Sequence, residues 1–586
     1  MSLDWLLKTS IVLLLIGGFC IENVFGQFQT SPHIIVFMAD DLGWNDVGFH
    51  GSNQIPTPNI DALAYNGIIL NRHYVLPSCT PSRAAFFTGK YPLRMGMQGG
   101  GIKGGEPRGI PLNIQILPEH LRGLGYVTRL IGKWHVGYHT PQHTPLHRGF
   151  DSFLGYYNSY ISYYDYRYSQ GNMSGLDLHR GDVPGHGMQG QYATDLFTEE
   201  ALRIIDHHDP QRPLYLQISH LAVHAPLEVL LDNFHNKEFA HIREPNRRKF
   251  AMMVSRLDDS LGRVVASLGD KGMLKDSVIL FLTDNGAASI GEFRNWGSNY
   301  PLRGTKYTLY EGGVRGVAAL WSPRLQKMAV VSEQLIHITD WLPTLYSAAG
   351  GNLKELGEID GVDQWPVLSE GRGYARESIV LNIDEVTKTE AAINNRFKLV
   401  RGSLKRGYYD GFHGESGRNR EVPNYNTTKV MKSAVSGSIS AHLGGPVTQP
   451  SAMVSLRLQA TVQCFSNSTY YSYPIRNTFI TCNETECLFD IINDPCETKN
   501  IAKQYPNRVK YLDKLLEKYG QYLKKQVKYP IQWMADPRRK NNTWEPWLTP
   551  NAMLYAYTSA ASKKNVLAAF AHFGLVLIIA GLRTFV

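Results

Sequence analysis

The sequence predicts an α/β fold, with helices on both faces of a sheet, followed by a smaller C-terminal α+β domain holding a short antiparallel sheet. Three observations carry this expectation: apolar runs of strand length, helical periodicities between them, and a shift of composition after about residue 370. His33-Ile34-Ile35-Val36-Phe37-Met38-Ala39, Leu214 to Ser219 and Val278-Ile279-Leu280-Phe281-Leu282-Thr283 are short and apolar, as strands buried on both faces must be. Asn113 to Leu124, Tyr192 to His208 and Arg248 to Leu268 repeat apolar residues at helical spacing. Alternation of the two patterns is what a helix-covered sheet requires. In open α/β sheets ligands bind beyond the carboxyl ends of the strands, so the residues that follow these runs are the ones to inspect for chemistry.

Further along, a helix ends near Gly350-Gly351, and Asp410 to Thr448 is rich in Gly, Ser and Asn with little periodicity, which predicts a long loop or insertion. The segment from Cys464 to Cys496 reads as short strands of the smaller domain. Cys464, Cys482, Cys487 and Cys496 predict two disulfides in an oxidising compartment, with three pairings open. Zinc is the alternative, but the spacing matches no common zinc pattern and no histidine lies between them. Cys79 is left alone.

With 586 residues and 43% hydrophobic composition, the chain can bury a large core and form roughly two to four domains. The net charge of +9 suits an anionic substrate or surface, yet cations are spread without a long run, so no nucleic acid partner is expected. Lys8, the apolar stretch Ile11 to Cys20 and Val24-Phe25-Gly26 before Gln27 form a signal peptide over residues 1–26. A catalytic domain at 27–370, a disulfide-bearing domain at 371–545 and a tail at 546–586 are then expected. Sequons at Asn172, Asn426, Asn467, Asn483 and Asn541 agree with entry into the secretory pathway. The tail holds an apolar run from Val566 to Leu582, about 25 Å as a helix against a hydrocarbon core of roughly 30 Å. A spanning helix would leave Lys563 and Lys564 on the lumenal side, against the positive-inside tendency. Ser559-Ala560-Ala561-Ser562 instead fits a GPI-attachment signal. The expected location is the cell surface through a GPI or membrane anchor, otherwise the lysosome or the exterior.

The first apolar run passes directly into Asp40-Asp41. Adjacent carboxylates repel, and a hard cation such as calcium or magnesium is the usual remedy. A turn-capping Asp41 beside a solvated Asp40 is the plainer reading of that pair taken alone. The third run, however, also ends in oxygen donors, Asp284-Asn285. Two strand ends of this kind predict a shared metal site.

Pro77-Ser78-Cys79-Thr80-Pro81-Ser82-Arg83 continues through Thr88-Gly89-Lys90. Here the sequence resembles the formylglycine-dependent sulfatases, whose signature is Cys-x-Pro-x-Arg. Further matches lie in Gly132-Lys133-Trp134-His135-Val136-Gly137, Arg148-Gly149-Phe150-Asp151 and Ala222-Val223-His224-Ala225-Pro226-Leu227. They continue in Pro301-Leu302-Arg303-Gly304-Thr305-Lys306 and Glu311-Gly312-Gly313-Val314-Arg315. Any one of these residues alone would more often be structural; their joint order over roughly residues 30 to 345 is specific. The likeness is greatest to the arylsulfatase B branch, including Cys487-Leu488-Phe489-Asp490 and Asp494-Pro495-Cys496-Glu497.

The resemblance implies an alkaline-phosphatase-like mixed sheet and a generating enzyme that oxidises Cys79 to formylglycine in the endoplasmic reticulum. It implies that Asp40, Asp41, Asp284 and Asn285, with the modified Cys79, hold one calcium ion. Arg83 and His135 position the aldehyde hydrate, Lys133, His224 and Lys306 bind sulfate, and His224 or Lys306 protonates the leaving group. One hydroxyl of the hydrate attacks sulfur and expels the alcohol; loss of a proton from the other expels sulfate. The implied substrate is sulfated N-acetylgalactosamine of glycosaminoglycans, with small sulfate esters such as glucosinolates or aryl sulfates as the alternative. A two-metal phosphatase is the rival enzyme, but a second cluster of ligands is not evident. A non-catalytic binding protein is the rival from another class, should Cys79 stay unmodified.

Overall fold

The central sheet is assembled from β1 (His33–Ala39), β2 (Ile68–Leu70), β3 (Val127–Lys133), β4 (Ser152–Tyr156), β5 (His179–Arg180), β6 (Val183–Pro184), β7 (Leu214–Ser219), β8 (Ser277–Thr283), β9 (Ala318–Trp321) and β10 (Val330–Ser332). Their order is β10-β2-β9-β8-β1-β7-β3-β4-β5-β6. This is a computed structural model describing residues 31–230, 238–418, 421–445, 447–464, 481–482, 486–527 and 529–549. The expected signal peptide, the sequons at Asn467 and Asn483, and the apolar run and attachment site of the tail lie outside the described residues. Among the described residues no helix is long and apolar enough to cross a membrane.

The middle of the sheet, β8-β1-β7-β3-β4, is parallel, and β9 and β5 are antiparallel to its two sides. Every residue of β1, β7 and β8 is buried, which is why their sequences are mostly apolar instead of alternating, with Gln217 the one polar residue inside a strand. Register decides the site: Ala39 pairs with Thr283, so Asp40 and Asp284 leave neighbouring strands side by side. In the same way Ser219 pairs with Gly132, placing Lys133 one strand further on. Gly132 has φ +90°, and a Cβ there would lie 2.0 Å from the Ser219 carbonyl oxygen, so only glycine fits this strand end.

Helices α1 (Pro58–Tyr65), α2 (Cys79–Thr88), α3 (Leu117–Gly123), α4 (Ala193–His207) and α5 (Pro245–Asp270) accompany this sheet. The α3 helix is shorter than the expected Asn113 to Leu124, because Pro118 is tolerated only in a first turn. Asp258 of α5 accepts hydrogen bonds from Asn59 and Ile60 backbone nitrogens at 3.1 and 2.8 Å, satisfying from another helix the buried first-turn donors of α1.

The stretch expected to be a long loop, Asp410 to Thr448, is partly helical. Thr427–Met431 forms a short helix, followed by α6 (Ala434–Leu443), and α7 (Pro450–Ala460) comes just after the stretch. Ser433 caps α6 by accepting from Ser436 N at 3.2 Å. The helix is held by packing on α5: Ser438 and His442 occupy the space that a side chain at Gly269 would need. Tertiary contact here overrides a Ser- and Gly-rich sequence with little helical preference.

The smaller sheet is antiparallel, ordered β11 (Ser378–Asp384), β12 (Thr389–Asn394), β13 (Phe397–Arg401) and β14 (Cys487–Asp490). Helix α8 (Pro506–Gly520) packs on it through Val509, Leu512 and Leu516. Its other face joins Tyr74, Tyr310 and Leu335 of the larger part. The disulfides are Cys464–Cys496 and Cys482–Cys487, which leaves none of these thiols for zinc. Between the two sheets, buried Lys398 bridges Glu311 and Glu497 at 2.9 Å each.

Candidate active site

Asp40 and Asp41 follow β1, and Asp284 and Asn285 follow β8. Ligand atoms of Asp40, Asp41 and Asp284 all lie within 4.8 Å of one another, and the three residues are fully buried. Asp41 has φ +60°, a strained conformation for a non-glycine residue, held by Asn295 Nδ2 donating to the Asp41 carbonyl at 2.8 Å and to the Val223 carbonyl at 3.0 Å. The Asp41 amide in turn donates to Asp284 Oδ1 at 3.3 Å.

Three cations meet the three carboxylates. Lys133 Nζ donates to Asp40 Oδ2 at 2.7 Å. Arg83 reaches Asp284 Oδ2 through Nε at 3.0 Å and Nη2 at 2.9 Å. Lys306 Nζ takes both oxygens of Asp41, at 2.6 and 2.8 Å. Burial and the neighbouring Asp41 push the Asp40 carboxyl upward, but Lys133, then His224 and Arg83, overcome them and hold Asp40 below its ordinary value. Asp284 goes the other way, raised by burial and by the charge of Asp40. Lys306, despite the cost of burial, is held protonated well above the usual lysine range by Asp41.

Cys79 is the first residue of α2 and Arg83 lies one turn later, so the Cys-x-Pro-x-Arg spacing puts both on one helix face. The turn into the helix is fixed by Ser82, whose Oγ accepts from Leu76 N at 2.9 Å and donates back to its carbonyl at 3.2 Å. Thr80 Oγ1 donates to the His135 carbonyl at 3.0 Å and accepts from Ile102 N at 3.1 Å. A Cβ on Gly101 would sit 3.0 Å from His135 Cε1 and 3.8 Å from Cys79 Sγ, which places His135 and Cys79 against the same glycine. His135 Nε2 contacts the Ile102 carbonyl at 3.0 Å, while Nδ1 has no hydrogen bond among the described residues. Burial and the nearby Lys133 drive its pKa well down, so the ring is neutral.

His224 Nε2 lies 3.6 Å from Asp41 Oδ2. Its Nδ1 is 2.6 Å from the Ala225 carbonyl and therefore carries the hydrogen, leaving Nε2 toward the acids. Burial lowers its pKa also.

The structure thus brings together Asp40, Asp41, Cys79, Arg83, Lys133, His135, His224, Asp284, Asn285 and Lys306. Sequence reasoning missed Asn295, Gly101 and Tyr156, the last a fully buried tyrosine whose hydroxyl has no hydrogen bond among the described residues. None of the three stands in a motif that could have marked it.

A pocket at strand ends that holds three carboxylates, a cysteine at a helix N-terminus and two lysines defines a class of hydrolase for anionic esters. The sequence profile of the sulfatase family matches residues 32–351, more than half of the chain, and the chain belongs to this family. Mouse arylsulfatase J is 34% identical over 523 residues, covering 88% of this chain and 80% of its own. Human N-acetylgalactosamine-6-sulfatase is 33% identical over 357 residues, covering 58% of this chain and 66% of its own. The likeness is therefore to several sulfatases and does not single out arylsulfatase B. In solved structures, the PsFucS1 sulfatase from Pseudoalteromonas sp. superposes with a TM-score of 0.61 at 22% identity, covering 87% of this chain and 94% of its own. The fold is the alkaline-phosphatase-like mixed sheet with its smaller antiparallel sheet, and the protein is a sulfatase-type hydrolase.

Proposed function

We propose that this protein hydrolyses sulfate monoesters of carbohydrates, sulfated N-acetylgalactosamine of glycosaminoglycans foremost, using a formylglycine made from Cys79 and one calcium ion. The observation that carries the reading is the convergence of Cys79, Arg83 and His135 with the acid cluster and both lysines in one buried pocket. The N-acetylgalactosamine assignment draws on the name of the 33% identical human relative.

The donor set fits a hard cation. Asp40 Oδ1 and Asn285 Oδ1 are buried and make no hydrogen bond among the described residues, an arrangement that is costly unless a ligand completes it. Together with Asp41 and Asp284 they form an all-oxygen set, and calcium accepts six to eight such ligands in irregular geometry. When bound, calcium withdraws charge from the sulfate and its neighbours. The aldehyde hydrate at residue 79 supplies two hydroxyls, one to take the sulfuryl group and one whose deprotonation releases it.

The remaining work falls to side chains. Arg83, one turn after residue 79, and His135, against Gly101, hold the reacting carbon in place. Lys133 and Lys306, both buried, offer fixed positive charge to the sulfate oxygens. Cleavage of the ester O–S bond leaves an alkoxide that must gain a proton, from Lys306 Nζ, which is held protonated, or from His224 Nε2 when that ring carries a second proton beside the one Nδ1 gives to the Ala225 carbonyl.

The two disulfides and the exposed sequons at Asn172, Asn426 and Asn541 support export through the secretory pathway, where the formylglycine-generating enzyme acts. Attachment through the tail, by GPI or by a spanning helix, belongs to the same reading, as do a catalytic domain at 27–370 and a smaller one at 371–545. Release by a phosphatidylinositol-specific phospholipase C separates the two anchors.

The test is twofold. Mass spectrometry of the peptide containing residue 79 is expected to show thiol-to-aldehyde conversion, and aryl sulfate is expected to be turned over in preference to aryl phosphate. Unconverted thiol, or a preference for phosphate, would sink the proposal.

A further inference from the structure

An arc of aromatic rings joins His224 to Lys306, the two groups assigned to the leaving oxygen. The Tyr160 ring lies nearly parallel to the His224 imidazole, 5.7 Å away at 11°. Phe293 packs against both, 5.3 Å from Tyr160 and 5.8 Å from His224. Two residues earlier, a Cβ at Gly291 would lie 2.6 Å from the Tyr409 ring, so Tyr409 rests on the backbone behind Phe293. Tyr409 meets Tyr307 at 6.1 Å, and Lys306 Nζ stands 5.6 Å from the centre of the Tyr307 ring.

These rings come from three stretches far apart in sequence, around Tyr160, from Phe293 to Tyr307, and at Tyr409, the last beyond the matched 32–351 region. The sulfate pocket recognises the end that every sulfate ester shares, so it cannot choose among alcohols. Whatever is esterified must pass His224 and Lys306, and there it meets aromatic faces. Phe293 keeps 37% of its surface exposed at this place. A large apolar side chain at the edge of a polar pocket is what binding of a partly apolar ligand uses. A pyranose offers such a face, because its axial C–H groups cluster on one side. Further out, Lys405 Nζ lies 5.4 Å from the Tyr409 ring, a cation beyond the rings where a neighbouring sugar would carry its own sulfate or carboxylate.

We propose that Tyr160 and Phe293 form the platform on which the sulfated sugar ring stacks, and that they set specificity for the alcohol half of the ester. This rests on the sulfatase reading above. The platform acts on the carbohydrate; because Tyr160 and Phe293 also pack on His224, inhibition by inorganic sulfate reports separately whether the sulfate contacts are disturbed.

The experiment compares wild type, Phe293→Ala, Phe293→Tyr and Tyr160→Leu on a sulfated N-acetylgalactosamine disaccharide and on 4-nitrophenyl sulfate, with inorganic sulfate as competitive inhibitor. Phe293→Ala and Tyr160→Leu are expected to raise KM for the disaccharide on the order of tenfold, to leave inhibition by inorganic sulfate unchanged and to keep the thermal midpoint. Phe293→Tyr is expected to restore the wild-type KM. An unchanged disaccharide KM, a loss confined to the aryl ester, or parallel weakening of sulfate inhibition overturns the platform. Wild type that turns over no sulfate ester fails the sulfatase reading and the platform with it; active wild type beside an unaffected Phe293→Ala fails the platform alone.

Discussion

Lys306 Nζ is held by both carboxylate oxygens of Asp41, at 2.6 and 2.8 Å, and neither side chain reaches solvent. A buried charge that loses its partner costs about 3–5 kcal/mol. Lys306→Met strands Asp41, unless a divalent ion takes over the neutralising role. The variant is expected to unfold well below wild type in chelator, and the gap is expected to narrow in excess calcium, where binding at about 100 times Kd contributes roughly 2.7 kcal/mol. Differential scanning calorimetry with and without calcium reads this directly. A gap indifferent to calcium speaks against a metal at Asp41. Turnover should fall by a factor on the order of 100 or more in either condition, because the cation proposed to face the sulfate is gone.

At residue 79 the decisive feature is the count of hydroxyls. Cys79→Ser can accept a sulfuryl group but has no second hydroxyl with which to release it. The variant is expected to retain label from a sulfate-labelled substrate through denaturation and to show no sustained turnover. Continued turnover by Cys79→Ser contradicts the proposed chemistry.

Gly101 offers a test of crowding without loss of charge. An added Cβ would lie 3.0 Å from His135 Cε1 and 3.3 Å from its Nε2, closer than a relaxed contact. Gly101→Ala should therefore displace His135 and lower kcat on the order of tenfold, with a near-normal thermal midpoint. Normal kcat would show that the position of His135 is not critical.

Away from the site, the buried Glu311–Lys398–Glu497 cluster gives a pH signature. Burial, and then the charge of Glu311, push the Glu497 carboxyl up to about 7 despite Lys398. Its folded value is raised above that of the unfolded chain, so its contribution to stability is fully present below about pH 4.5 and is lost as pH rises through about 7. Glu497→Gln removes the charge that must be carried at high pH and leaves the Lys398–Glu311 pair. The variant is expected to melt a few degrees above wild type at pH 8, a gain on the order of 1–3 kcal/mol, with no gain at pH 4.5. Melting curves at the two pH values decide it.

The parallel strands were legible because burial on both faces favours short, largely apolar runs, as in His33–Ala39 and, with Gln217 as an exception, Leu214–Ser219. The acids after them were legible for the same reason: a strand that stops at Asp-Asp or Asp-Asn advertises its end. The short antiparallel strands Ile68–Leu70 and Ala318–Trp321 carry too few residues for any period to show. Helix Ala434–Leu443 was misread as loop because its cause is the face of Pro245–Asp270, 170 residues or so earlier, and not its own composition. Asn295 and Tyr156 act by where the fold delivers them, and a lone Asn or Tyr leaves no trace of that in sequence.

Cys79 is only 4% exposed, in the first turn of α2 and close to Gly101. No second macromolecule can grip its side chain once the surrounding elements have docked. Any enzyme that alters this sulfur has to finish while the polypeptide is still open. On the proposed formylglycine chemistry, molecules that miss that moment stay as they were made, so the active fraction of a preparation would be fixed at synthesis and could not be raised afterward by treating the finished protein.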